Sequence, residues 1–142
     1  MLLRLTILGL IATATPAFAQ FPQQGVAGME NGVAAPFVGK WRMSYPEDEN
    51  TISSVELVGC DLPIVIDPLG NSRFRYLSPN NPEDARVEID LTPFMNRTVW
   101  FPSIEGPNYI SIWLGPDAFH LHNLSEMGAA DWDNPFLYTR CP

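Results

Sequence analysis

The sequence predicts an all-β protein, a single antiparallel β-barrel of about eight strands, and three observations support this prediction. Nine short runs, most of which alternate apolar and polar residues, are candidate strands, and most begin about 8 to 13 residues after the previous one, a spacing typical of antiparallel sandwiches and barrels. No window shows a sustained helical stripe of apolar residues. The 14 prolines also disfavour long helices, because an internal proline costs a helix about 3 kcal/mol.

Residues 1 to 19 precede the predicted barrel and have the features of a secretory signal. Arg4 is followed by an apolar stretch, and Ala17-Phe18-Ala19 supplies the small residues of a cleavage site. The apolar stretch is shorter than the roughly 20 residues that a membrane helix needs. We therefore expect no membrane insertion and a secreted protein, located in the bacterial periplasm.

Residues 20 to 36 contain glycine, proline and no sustained period, which predicts a mobile N-terminal arm. The barrel domain then spans residues 37 to 142. In its first run, Trp41, Met43 and Tyr45 share one face, and in the second Val55 and Leu57 form the apolar face. The predicted strands cover residues 40–45, 54–57, 62–66, 73–77, 86–91, 97–101, 108–114, 118–124 and 136–141.

The charge of the chain excludes one class of partner. Once Arg4 is removed with the signal, seven basic side chains remain against 16 acidic ones, a net charge of −9 with neutral histidines. Such a surface repels phosphate backbones and anionic lipid. We therefore expect no nucleic-acid partner, while the oligomeric state stays open.

Cys60 and Cys141 are the two cysteines of the chain, and cysteines of a secreted protein usually pair. A bond between them would close a long loop and contribute roughly 4 kcal/mol by the chain-entropy model. The alternative is two free thiols, although neither has the C-x-x-C context that lowers a thiol pKa. The sequence predicts a disulfide.

A Gly-x-Trp motif, Gly39 to Trp41, opens the first strand, and Arg140 lies in the last. This pattern resembles the lipocalin-like, or calycin, barrels. The resemblance implies that Trp41 closes one end of the barrel and that Arg140 stacks on it, an attraction of roughly 0.5 to 2 kcal/mol. It also implies that Cys141 could tie the last strand to the turn after the second. Small periplasmic inhibitors of metalloproteases are similar barrels that act through an N-terminal arm.

A search for catalytic groups predicts a protein that is not an enzyme and has no cofactor. Ser111 lacks the Gly-x-Ser-x-Gly elbow of a hydrolase, and there is no glycine-rich phosphate loop. His120 and His122 are two residues apart, so a strand would direct both to one face. We expect them to lie on the solvent face of that strand, and they are only weak metal candidates, because two ligands do not make a site.

Two neighbouring strands are apolar on both faces, which indicates that something covers the outside of the barrel there. Trp100 opposes Val99 and Phe101, and the strand at residues 108–114 shows the same pattern. The cover could be the loop containing Trp132, the N-terminal arm or another molecule.

Two functions remain open. The first is a barrel that binds a small apolar ligand through its aromatic side chains. The second is a protein-interaction module or peptidase inhibitor, which would bind an exported protein through the arm and an exposed aromatic sheet face. Whether the barrel is hollow or filled by its own side chains also stays open. The candidate ligand-binding residues are Phe74, Tyr76, Trp100, Tyr109 and Trp113.

Overall fold

The computed structural model describes residues 21 to 46, 56 to 80 and 86 to 142. Within these ranges it has nine β-strands and one turn of 3-10 helix, Ala35–Phe37. The predicted signal lies outside the described residues. No helix in the described ranges is long and apolar enough to cross a membrane. The strands are β1 Gly39–Ser44, β2 Glu56–Val58, β3 Ile64–Gly70, β4 Arg73–Leu77, β5 Val87–Pro93, β6 Thr98–Pro102, β7 Asn108–Gly115, β8 Ala118–Leu124 and β9 Phe136–Arg140.

Eight of these strands close into an antiparallel barrel, which confirms the predicted fold class. β1 pairs with β3, each strand from β4 to β9 pairs with the one before it, and β9 pairs back with β1. At the closure, Trp41 lies opposite Arg140 and Met43 lies opposite Tyr138. β2 is an additional strand that pairs with the end of β1.

The prediction of which residues form the apolar face of the second strand is wrong. Leu57 is exposed in the structure, whereas Val58 is buried. Val58 lies opposite Met43, whose side chain points into the barrel, and residues directly opposite in a ladder share a face. Residues 54 and 55, which begin the predicted run, lie outside the described part of the chain.

One half of the barrel interior is filled by aromatic rings. Phe37 lies at its centre, with its ring centroid 4.5 to 5.7 Å from those of four neighbours. Because Phe37 belongs to the 3-10 turn and not to a strand, the chain that leads into β1 itself plugs this end. The six large rings of the closed end are at most 1% exposed: Phe37, Trp41, Phe74, Trp100, Trp113 and Phe119.

Arg140 packs against Trp41 at this closed end. Its guanidinium carbon lies 4.2 Å from the Trp41 ring centroid, and its nitrogens donate hydrogen bonds to the carbonyl oxygens of Pro36 and Val38, each at 2.9 Å. Gly39 has a φ of +137°, and a Cβ there would lie 2.8 Å from Arg140 Nη1. The glycine of the Gly-x-Trp motif thus leaves room for the guanidinium.

The predicted disulfide is confirmed. Cys60, in the connection between β2 and β3, is bonded to Cys141, which directly follows β9, across 81 positions. β3 and β9 are the two neighbours of β1 in the barrel. The bond therefore fastens the chain on either side of β1, at the point where the first and last barrel strands meet.

Residues 21 to 36, predicted as a mobile arm, lie across the closed end of the barrel. The amide of Val26 donates to the carbonyl of Trp113 at 2.9 Å, and the amide of Ala34 donates to Asn71 at 2.7 Å. The amide of Gly32 donates to Thr98 Oγ1 at 2.9 Å. Because its backbone groups have partners on several strands and turns, this segment forms part of the folded domain.

The outer face of β6 to β8 is covered from within the chain. The ring centroids of Trp132 and His122 are 5.0 Å apart, and those of Phe21 and His120 are 5.4 Å apart. Arg97 in turn stacks on Trp132, with its guanidinium carbon 5.0 Å from the ring centroid. Of the covers that the sequence left open, the loop and the arm both contribute. The outward side chains buried here are Val99, Ile110, Ile112, His120 and His122.

Candidate functional site

The other half of the barrel interior contains a cavity of about 410 Å³. Its walls come from the strand ends opposite to the aromatic plug, where side chains such as Met43, Val87, Ile89 and Leu121 are too short to fill the space between the strands. Trp100 lies between the cavity and the filled half. Its ring packs against Phe74 of the filled half and against Tyr138, which lines the cavity. The barrel is therefore half filled and half hollow.

Two tyrosines place their hydroxyl groups together in this cavity. Tyr76 Oη and Tyr138 Oη are 2.9 Å apart and share one hydrogen bond, although the residues are distant in sequence and come from β4 and β9. Burial raises the pKa of Tyr76 to about 12, and burial raises the pKa of Tyr138 well above its usual value. Both phenols are therefore neutral and protonated at physiological pH.

The rim of the cavity includes the connection between β6 and β7. Ile104 in this connection is 55% exposed, and Glu105, Ser78 and Asn80 add polar groups to the lining. Burial raises the pKa of Tyr109, which lies on the wall near this rim. The cavity is thus apolar and aromatic in its depth and polar at its mouth.

Among the described residues, one charged side chain, a carboxylate, lines the cavity. Among the described residues that line it, Glu105 is the only one that carries a formal charge, and there is no lysine, arginine or histidine. A buried anion without a paired cation costs several kcal/mol. An anionic group in the cavity would therefore have no paired cation among these lining residues.

The structure divides the five candidate ligand-binding residues between two places. Tyr76, Trp100 and Tyr109 line the cavity, whereas Phe74 and Trp113 belong to the packed core of the closed end. Strand alternation accounts for the inward direction of Phe74 and Trp113. Their position along the barrel axis, near the closed end, places them in the packed aromatic core and not in the cavity.

Sequence reasoning missed Tyr138 and Phe136 as lining residues. Both lie on β9, where Tyr138 pairs with Phe119 on one side and Met43 on the other. Their alternation in the last predicted strand shows that they share a face. Their approach to Tyr76 depends on closure of the barrel, which joins strands that are far apart in the chain.

His120 and His122 form a second cluster, on the outer face of β8. Both are buried, so the expectation that they lie on the solvent face is wrong, because Phe21 and Trp132 pack over them. Burial lowers the pKa of His120 to about 4, and burial also lowers the pKa of His122. Both rings are therefore neutral near pH 7.

One hydrogen bond fixes the tautomer of His122, while one ring nitrogen of each histidine has no partner among the described residues. His122 Nδ1 is 2.9 Å from the carbonyl oxygen of Asp131, which can only accept, so Nδ1 carries the proton. His122 Nε2 and His120 Nδ1 have no hydrogen-bond partner among the residues that the structure describes. No group of three or more histidine, cysteine, aspartate or glutamate side chains in the described ranges is arranged to hold a metal ion, so the pair lacks a third ligand of this kind.

The fold defines the general class of this protein as a closed eight-stranded antiparallel barrel, consistent with a lipocalin-like fold. The chain matches no protein-family model, and no curated protein or solved structure is significantly similar to it. The cavity and the tyrosine pair are therefore interpreted from their own geometry.

Proposed function

We propose that this chain is a non-enzymatic binding protein that holds a small apolar molecule in the hollow half of its barrel. The observation that carries the proposal is the cavity of about 410 Å³, whose volume falls in the range of roughly 300 to 1,000 Å³ found for small-ligand sites. Its lining is mainly aliphatic and aromatic, with few polar groups, which is typical of such sites.

The chemistry of the lining supports binding more than catalysis. The polar groups of the cavity wall include the paired hydroxyls of Tyr76 and Tyr138. Because burial raises the pKa of Tyr76 to about 12, this phenol is a poor general base near pH 7. Ser111, the serine considered as a nucleophile, instead accepts a hydrogen bond from Trp100 Nε1 at 3.1 Å.

An exported location fits this function. The bond between Cys60 and Cys141 is typical of an oxidising compartment such as the periplasm. A barrel in that compartment would carry an apolar molecule through water by enclosing its chain or ring.

A protein-interaction module or peptidase inhibitor remains the alternative, and the structure gives it less support. That function needs residues 20 to 36 to be free to enter a partner, and it needs an uncovered aromatic face. Residues 21 to 36 instead make backbone hydrogen bonds to the barrel, and Phe21 and Trp132 occupy the outer face.

The proposal can be tested by filling the cavity. Met43 lines it, and a Met43→Trp substitution would place an indole in the empty space, whereas Arg42→Trp changes the exposed neighbour on the same strand. We expect the wild type and Arg42→Trp to enhance the fluorescence of the apolar dye N-phenylnaphthylamine. We expect Met43→Trp to bind it at least about tenfold more weakly, since the site would be occupied.

Circular dichroism and thermal melting of the three proteins provide the control for folding. Equal dye binding by all three folded proteins would mean that the dye does not enter the barrel, and the absence of binding by the wild type would remove the support for a small-ligand function.

A further inference from the structure

We propose that the ligand is a neutral molecule with an apolar chain or ring and one hydrogen-bond-accepting oxygen, as in an alcohol, aldehyde, ketone or ester, and that this oxygen sits on the Tyr76–Tyr138 hydroxyl pair. This inference rests on the proposed function, because it concerns the same cavity. It adds which chemical class the cavity selects and how the molecule is oriented in it.

The first argument is the number of protons in the pair. A phenol carries one O–H proton, so two phenols have two. One proton lies in the hydrogen bond between the hydroxyls, which are 2.9 Å apart. Among the described residues, neither hydroxyl has another hydrogen-bond partner. One O–H is therefore left to donate into the cavity, and a ligand oxygen would accept it.

The second argument is the burial of this donor. Tyr138 is 2% exposed, Tyr76 is partly buried, and both line the cavity beside Trp100 and Phe136. A buried O–H without an acceptor costs about 1 to 3 kcal/mol. A ligand with a single oxygen next to the tyrosine pair satisfies this donor, and its apolar remainder contacts the walls.

The third argument is the absence of a counter-charge. A carboxylate at the tyrosine pair would be buried with no cation among the described lining residues, and a carboxylate turned towards the mouth would meet Glu105. Both orientations are unfavourable for an anion. The acidic sequence, with a formal net charge of −8, acts in the same direction. The cavity therefore discriminates against fatty acids in favour of uncharged molecules of the same length.

The experiment compares two probes of equal chain length, decanol and decanoate, as competitors of N-phenylnaphthylamine at about pH 8, where the carboxyl group is ionised. We expect wild-type protein to bind decanol about tenfold more tightly than decanoate, since an unpaired buried charge is costly. Equal affinities, or tighter binding of decanoate, would overturn the inference while leaving the proposed function in place. Failure of the dye and both probes to bind would instead overturn the proposed function.

Phenylalanine variants test the role of the pair. Each single variant, Tyr76→Phe or Tyr138→Phe, keeps one hydroxyl and therefore one free donor, so we expect decanol affinity to stay within about threefold of wild type. The double variant has no donor, and we expect decanol to bind about tenfold more weakly. Tyr45→Phe, an exposed tyrosine that does not line the cavity, is the matched control.

This non-additive pattern distinguishes a hydrogen bond to the ligand from a general loss of packing. The dye, which does not need the donor, should bind the folded double variant as it binds wild type. If the double variant retains full decanol affinity, the tyrosine pair does not hold the ligand oxygen and the inference is wrong.

Discussion

Gly39, Trp41 and Arg140 act as one unit at the closed end of the barrel. The guanidinium stacks on the indole and donates to the carbonyl of Val38, while the indole Nε1 donates to the carbonyl of Phe37 at 2.7 Å. The position of Arg140 restricts which residue can occupy position 39, because a Cβ on Gly39 would lie 2.8 Å from Arg140 Nη1. The motif is thus a packing requirement as well as a sequence pattern.

Replacement of Gly39 by alanine tests this unit. We expect Gly39→Ala to lower the free energy of unfolding by about 1 to 3 kcal/mol, because alanine rarely adopts a positive φ and its Cβ would lie 2.8 Å from Arg140 Nη1. Urea denaturation followed by tryptophan fluorescence measures the change. Gly70→Ala is the control, since a Cβ there meets nothing within 4 Å, and equal losses in the two variants would contradict this interpretation.

The residue scale also shows what the sequence could predict. Strand alternation predicts that Tyr76 shares a face with Phe74 and that Tyr109 shares a face with Trp113. In the structure these four residues and Trp100 all lie on inward positions of their strands. Alternation does not predict that Phe37, which belongs to no strand, fills the space beside Phe74 and Trp113. The division between plug and cavity comes from this one ring and its neighbours.

At the scale of elements, β8 depends on two segments that are distant from each other in the chain. Its buried histidines lie under Phe21 of the N-terminal segment and Trp132 of the β8–β9 connection. The two-faced apolar pattern of the neighbouring strands predicts that a cover exists. The pattern cannot predict its source, because either segment could reach this face and both do.

The burial of these histidines makes stability depend on pH. An unfolded chain protonates His120 near its usual pKa of 6.5, whereas in the folded protein burial lowers the pKa of His120 to about 4. Between these values the unfolded state binds more protons, so the free energy of unfolding falls as the pH drops from about 6.5 to about 4. Allowing for partial solvent screening, we expect a loss of about 1 to 2 kcal/mol from His120.

A His120→Gln variant isolates this contribution. Urea denaturation at several pH values between 4 and 7 should show a shallower pH dependence for the variant than for wild type, because the carboxylates common to both proteins contribute equally. The variant retains His122, whose pKa burial also lowers, so part of the slope should remain. Identical slopes would show that His120 is not held neutral by the fold.

The β5–β6 hairpin is an element whose geometry the sequence does not reveal. Met95 and Asn96 have φ values of 47° and 55°, and Phe94 and Arg97 exchange two backbone hydrogen bonds across the turn. Such two-residue turns usually contain glycine. Here Asn96 also donates a side-chain hydrogen bond to the carbonyl of Gly25, so the turn is held by the N-terminal segment.

For the whole molecule, the barrel and its closure were predictable, whereas its cavity was not. Regular strand spacing predicts an antiparallel sandwich or barrel. The resemblance of the Gly-x-Trp motif with Arg140 to lipocalin-like barrels favours the barrel and implies that β1 and β9 meet, as they do. The hollow half depends on the volumes of side chains from β1 and from β4 to β9 that come together only in the closed barrel. Tyr76 and Tyr138, 62 positions apart, are the clearest example.

Native mass spectrometry of the protein, purified from cells that export it, tests most directly whether the barrel holds a small apolar ligand. We predict that wild type and Arg42→Trp carry a small-molecule adduct and that Met43→Trp, with its cavity filled, does not. A mass matching a captured protein would support the interaction module instead. An adduct of equal abundance on folded Met43→Trp, or the absence of any small molecule from wild type, would contradict the account of this barrel as a carrier of a small apolar ligand.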